Sequence, residues 1–158
     1  MLKISFKIIA ILVLVIFQLS LMTKFSIFDC IPNLILIFAI TLVLRNHFND
    51  AILVATTGGI IFDLTSTMRF GVYTFIFLAI ILIIQFLLLN NIPSLNNFVV
   101  YLIFFTSFIF SDLIIFLVIR TWPSWNIFLS SLINGFWGII IYFYLGPKIV
   151  SKEEIIMV

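Results

Sequence analysis

The chain predicts an all-α membrane protein: one integral domain over residues 1–158, built as a bundle of six transmembrane helices. Three observations carry this. Hydrophobic residues make up 65% of the chain and charged residues only 9%, against roughly 25% charged in soluble domains. The apolar residues fall into blocks, and a block of about 20 residues, rising about 1.5 Å each, crosses a hydrocarbon core of about 30 Å. The pieces between blocks are what a bilayer rejects: Arg45-Asn46-His47, Thr65-Ser66-Thr67-Met68-Arg69, Asn90-Asn91-Ile92-Pro93 and Arg120-Thr121-Trp122-Pro123.

The first helix is predicted over 4–22. Lys3 and Lys7 precede its apolar run as in a secretory leader, but Ser20-Leu21-Met22 offers no small-x-small cleavage pattern, so it reads as a retained helix. The second is predicted over 27–44, with Asp29 and Pro32 near its start and a clean apolar run only from Leu34. Proline suits a first helical turn, where its missing N–H has no partner to lose. Residues 24–31 then have an alternative place at the interface, with a short span of about 13 residues, roughly 20 Å, opening near Pro32.

The third helix is predicted over 48–64. Ala51, Ala55, Gly59 and Asp63 recur every fourth residue and share one face, where small side chains let a second helix approach closely. Asp63 closes the stripe ahead of Thr65, Ser66 and Thr67, where an aspartate bonds the backbone two residues on and sets a turn. Two short neighbouring helices predict a shallow depression in the membrane surface. Gly71 follows the turn and opens the fourth helix, predicted over 70–89.

The fifth and sixth helices are predicted over 98–119 and 125–145. Ser131, Asn134, Gly135 and Gly138 follow the i, i+3, i+4, i+7 spacing of one helical stripe, which predicts burial against a neighbour. Asp112 lies about 12 Å inward from Arg120, and Ser131 and Asn134 lie about 10–15 Å inward from Ser124, by helical rise. The depths match, so Asp112 is expected to hydrogen-bond Ser131 or Asn134 across the hairpin. Aspartate at a bilayer centre costs about 2.5–3.5 kcal/mol, so both Asp63 and Asp112 should face protein or water.

Six spans place both termini on one side with Lys3, Lys7, Arg45, Lys148 and Lys152, and Lys24, Arg69 and Arg120 on the other. This bias predicts cytoplasmic termini, with Trp122 and Trp125 at the outer interface. The net charge of +2 carries no basic stripe, so nothing points to nucleic acid. Cys30 is the single cysteine and His47 the single histidine, which leaves no disulfide and no donor set for a metal. No nucleophile triad or phosphate-binding glycine loop is present, and Gly58-Gly59 lies in an apolar helix as a packing element. The sequence gives no support for an enzyme and none for a cofactor.

In order, several motifs resemble the family of the bacterial rod shape-determining protein MreD. They are Pro32-Asn33 before a short span, Gly59-Ile60-Ile61-Phe62-Asp63-Leu64, a polar turn, then Phe70-Gly71-Val72. Next come Asp112-Leu113-Ile114-Ile115-Phe116, Trp122-Pro123, and Ser130-Ser131-Leu132-Ile133-Asn134-Gly135-Phe136-Trp137. The likeness covers roughly residues 31–145; Thr67-Met68-Arg69 stands where the family has a glycine-rich turn. The resemblance implies a non-enzymatic scaffold of the cell-elongation complex in the bacterial inner membrane. Its implied partners are an MreC-like protein, a RodA-type glycosyltransferase with its transpeptidase partner, and the actin-like MreB filament. It also implies a fold similar to the substrate-binding subunits of energy-coupling-factor transporters.

On this reading, Pro32, Asn33, Ala55, Gly59, Asp63, Gly71, Asp112, Ser131, Asn134 and Gly135 are candidates for helix packing or partner contact. Asp29, Pro32, Asp63 and Arg69 mark an expected outer docking depression for an MreC-like segment. Two alternatives stay open. One is a vitamin-binding subunit of an energy-coupling-factor transporter, whose family would show Ala-x-x-x-Ala in the first helix, where this chain has only Ala10. The other is a small ion transporter using Asp63 and Asp112 as relay groups.

Overall fold

A computed structural model describes residues 2–21, 30–66, 69–91, 96–120 and 125–150. Among these, six helices follow in order: α1 (Leu2–Leu21), α2 (Leu34–Leu44), α3 (Phe48–Thr65), α4 (Val72–Asn91), α5 (Asn97–Ile119) and α6 (Asn126–Val150). Three of them, Val72–Leu89, Asn97–Ile119 and Asn126–Leu145, are long and apolar enough to cross a membrane. Only 28% of each of these windows is buried, and the outward residues include Phe75, Phe86, Leu89, Phe98, Leu117 and Phe136. A continuous apolar exterior of this kind suits lipid, not water.

α2 is the hub. It packs against α1, α3, α4 and α6, and nine of its eleven residues are buried. Its residues are apolar all round, the pattern of a helix enclosed by others. Around it, α3–α4 and α5–α6 form closely packed hairpins, and α4 joins them by touching α5.

Glycine sets the closest approaches. A Cβ on Gly58 would strike the Ile35 side chain of α2, and one on Gly59 would sit 2.6 Å from the Thr74 backbone Cα of α4. Adjacent helical residues point about 100° apart, so these two glycines let α3 wedge between two neighbours at once. On α6, a Cβ at Gly135 would lie 2.9 Å from the Tyr101 ring and one at Gly138 2.6 Å from the Phe104 ring, both on α5. The hairpin therefore closes by seating α5 rings in α6 notches.

The α2–α3 connection is a helix stop built from three residues. The His47 N–H donates to the Leu42 carbonyl at 2.9 Å and the Asn46 N–H to the Val43 carbonyl at 3.0 Å, with Asn46 at φ 61°. This is the Schellman arrangement, with asparagine taking the left-handed position. Arg45 lies over the Tyr142 ring at 4.4 Å and donates to its carbonyl at 3.3 Å, placing a cation at the negative end of α2.

The second helix departs from the predicted 27–44. Cys30 to Asn33 are not helical, and α2 starts at Leu34. Proline restricts the residue before it to extended backbone, and Asn33 then caps the helix, accepting from the Leu36 N–H at 3.1 Å. Pro32 thus precedes α2 instead of occupying its first turn. Gly71, at φ 96°, likewise stands outside α4, which opens at Val72, and α6 runs on to Val150, past the predicted 145. Asp29, Lys24, Thr67 and the expected Trp122-Pro123 interface marker lie outside the described residues.

Candidate functional site

The polar residues converge at the end of the bundle where α1, α3 and α5 finish and α2, α4 and α6 begin. Three arrangements meet there. The first is Asp63 in the last turns of α3. Its carboxylate accepts from the Tyr73 N–H at 2.8 Å, the Thr74 N–H at 3.1 Å and the Thr74 hydroxyl at 2.6 Å. The side chain is 4% exposed. A helix start has unpaired N–H groups and partial positive charge, so Asp63 caps α4 from another helix. The sequence-based expectation had it bonding the backbone two residues on; its partners are ten and eleven residues on. Gly59, one turn earlier, lets α4 come near enough for this.

The second arrangement holds the start of α2 inside the bundle. Non-helical backbone at membrane depth survives only where protein or water satisfies it. Asn134 on α6 accepts from the Asn33 N–H at 2.8 Å. Gln18 on α1 accepts from the Leu34 N–H at 2.8 Å and donates to the Pro32 carbonyl at 2.6 Å. Two helices thus clamp the extended segment ahead of the third. The Asn134 amide is held in turn, donating to the Ser130 carbonyl at 2.9 Å and to its hydroxyl at 3.3 Å.

The third is Asp112 on α5. Its expected partner was Ser131 or Asn134; the hydroxyl it meets is that of Ser130. Asn134 is turned to Asn33, and Ser131 is fully buried with its hydroxyl unpaired. One residue of register on α6 rotates the side chain by about 100°, enough to move Ser131 away and bring Ser130 in. Asp112, Ser130, Asn134 and the Asn33 N–H form a polar chain across α5, α6 and the α2 start.

This chain borders a cavity of about 260 Å³. Gln18, Asn33, Tyr73, Ser111, Asp112, Ser130 and Asn134 line it, together with Phe62, Phe108 and Ile115. A second hollow of about 220 Å³ shares Ile31, Asp112, Ile115 and Ser130 with it and continues to Cys30, Asn126 and Ile127. Asp112 therefore borders both hollows, the second of which lies at the head of α6.

Of the predicted site residues, Asn33, Asp112 and Asn134 line this cavity, and Pro32 is tied to it through Gln18. Gly59, Asp63 and Gly71 serve the adjoining α3–α4 seam, Ala55 is buried farther along α3, and Gly135 lies in the α5–α6 seam. The residues expected to mark the docking depression differ in exposure. Pro32 and Asp63 face inward, Arg69 is exposed, and Asp29 is outside the described residues. Sequence reasoning missed Gln18 and Thr74, and it named Ser130 only as part of a motif, not as a site residue. An amide alone in an apolar span is itself a signal, because burying it unpaired is costly, and Gln18 carried that signal. Among the described residues no three His, Cys, Asp or Glu side chains group as a metal site.

No family model, no curated protein and no solved structure matches the chain.

Proposed function

We propose that the protein is a non-enzymatic scaffold of the bacterial inner membrane, resembling MreD, that crosses the bilayer six times with both termini in the cytoplasm. In this role it couples an MreC-like protein to a RodA-type glycosyltransferase and its transpeptidase partner, in register with the actin-like MreB filament, and so maintains rod shape. The proposed fold likeness is to the substrate-binding subunits of energy-coupling-factor transporters.

One observation supports the reading above others: residues that carry the resemblance are engaged in holding helices together. Asn134 grips Asn33, Asp63 caps α4, and Gly59 and Gly135 are points of close approach. A bundle that spends its polar groups on internal seams acts through its shape and its outer faces. The test is depletion in the native cell together with co-purification in mild detergent. Rounded cells and recovery of an MreC-like partner are expected. Unchanged rods with no such partner recovered would overturn the proposal.

A second reading, a vitamin-binding transporter subunit, is favoured by the polar cavity of about 260 Å³. A thermal-shift screen against vitamins separates the two, since a scaffold shows no saturable vitamin response.

A further inference from the structure

The two acids within the spans are treated differently. Asp63 is sealed, with three donors on its oxygens. Asp112 has the Ser130 hydroxyl beside it and otherwise borders the two hollows. Among the described residues no Lys, Arg or His lines either hollow. Asp112 is the charged group among the described lining residues, and a carboxylate favours a cationic guest.

The walls select among cations. Mg²⁺ and Ca²⁺ take a close shell of six or more oxygens. Here Phe62, Tyr73 and Phe108 contribute rings to the lining, and aromatic faces attract organic cations. A volume of about 260 Å³ is far more than one dehydrated ion occupies and is enough for a short alkyl chain with its charged head. A primary ammonium carries three N–H donors, and Asp112, Ser111 and Ser130 supply three oxygen-bearing side chains to the lining.

We propose that this cavity is a binding site for a primary organic ammonium group paired with Asp112. The inference is independent of the scaffold reading. The group has two possible sources, a free alkylamine and an ethanolamine lipid headgroup, which share this chemistry.

The test uses the full chain in non-ionic detergent and amine-free phosphate buffer, titrated with n-propylammonium chloride against sodium chloride of equal ionic strength. A saturable rise in unfolding midpoint is expected with propylammonium alone. Asp112→Asn should weaken that binding about 10-fold or more, the scale of one charge-assisted hydrogen bond, whereas Asp50→Asn on α3 should leave it unchanged. No saturation, equal stabilisation by sodium, or undiminished affinity in Asp112→Asn overturns the proposal. Should Asp112→Asn fail to fold, photolabelling of the wild type with a diazirine-bearing alkylamine decides. Labels within 108–115 or 126–134 support the site, and labels only elsewhere overturn it. Competition by phosphatidylethanolamine, but not phosphatidylcholine, assigns the lipid headgroup as the source; propylammonium binding that neither lipid displaces assigns a free amine.

Discussion

Asp63 is tolerated in the bundle because its charge is answered in full. Each hydrogen bond to an ionised group contributes about 1.5–3 kcal/mol, and leaving its donors unpaired costs a similar amount. Asp63→Ala is therefore expected to destabilise the protein by about 2–4 kcal/mol, seen as a lower midpoint of thermal unfolding in detergent. Asp63→Asn keeps an oxygen for the Tyr73 or Thr74 donors and should recover about half of the loss. Equal loss in both variants would mean that the negative charge at the head of α4, not the hydrogen bonding, carries the effect. Gly59 works by absence. With the Thr74 Cα only 2.6 Å from where a Cβ would stand, the clash is with backbone, which cannot rotate away. Gly59→Ala is expected to cost about 1–3 kcal/mol by overpacking, whereas Gly71→Ala meets no atom within 4 Å but is strained by φ 96°. Stripe spacing made Gly59 and Asp63 legible in the sequence. It did not reveal that Asp63 reaches across the turn to Thr74, because that depends on how α4 is set down on α3.

At the scale of elements, α2 is too short to cross a membrane alone, at eleven residues and so about 16 Å by helical rise. Its position depends on neighbours that satisfy its exposed start. Asn134→Leu leaves the partly buried Asn33 N–H without its acceptor, a penalty of about 1 kcal/mol. Gln18→Leu removes two bonds to the same segment and should cost at least as much. Hydrogen exchange read by mass spectrometry should show faster exchange over the first turns of α2 in both variants, with α4 unchanged. Uniformly faster exchange would mean that the clamp stabilises the whole bundle and not this element. The start of α2 near Pro32 was foreshadowed by proline chemistry and by the clean apolar run from Leu34. Its clamp was not, because Gln18 and Asn134 lie 14 or more residues away and nothing in local pattern pairs them.

For the whole molecule, the α5–α6 hairpin and the α3–α4 hairpin are joined through α2 and through the α4–α5 contact. Filling the Gly138 notch should push Phe104, a fully buried ring at the core of that joint, out of place. Gly138→Leu is expected to lower folded yield more than Phe136→Leu, which sits on the exposed side of the same helix; monodisperse recovery by size-exclusion chromatography checks this. On the six-span proposal, reporter fusions at residues 1 and 158 should both be active only in the cytoplasm, and one inserted within 121–124 only outside it. Opposite localisation of the two termini would reduce the spans to an odd number.

Composition and block length by themselves determined that this chain is helical and apolar on its outside, and where its helix ends fall to within two residues at four of six elements. Those properties follow from transfer free energy and helical rise, which act locally and leave their mark in every window of the sequence. Which polar side chain answers which was decided only by tertiary structure. Ser130 took the place expected for Ser131 beside Asp112, Gln18 and Asn134 closed on Pro32 and Asn33, and Asp63 capped α4. A hydrogen bond spans about 3 Å and is lost within a single residue of helical rotation, so its partners are fixed by how the helices are turned against one another, a quantity that no stretch of sequence encodes alone.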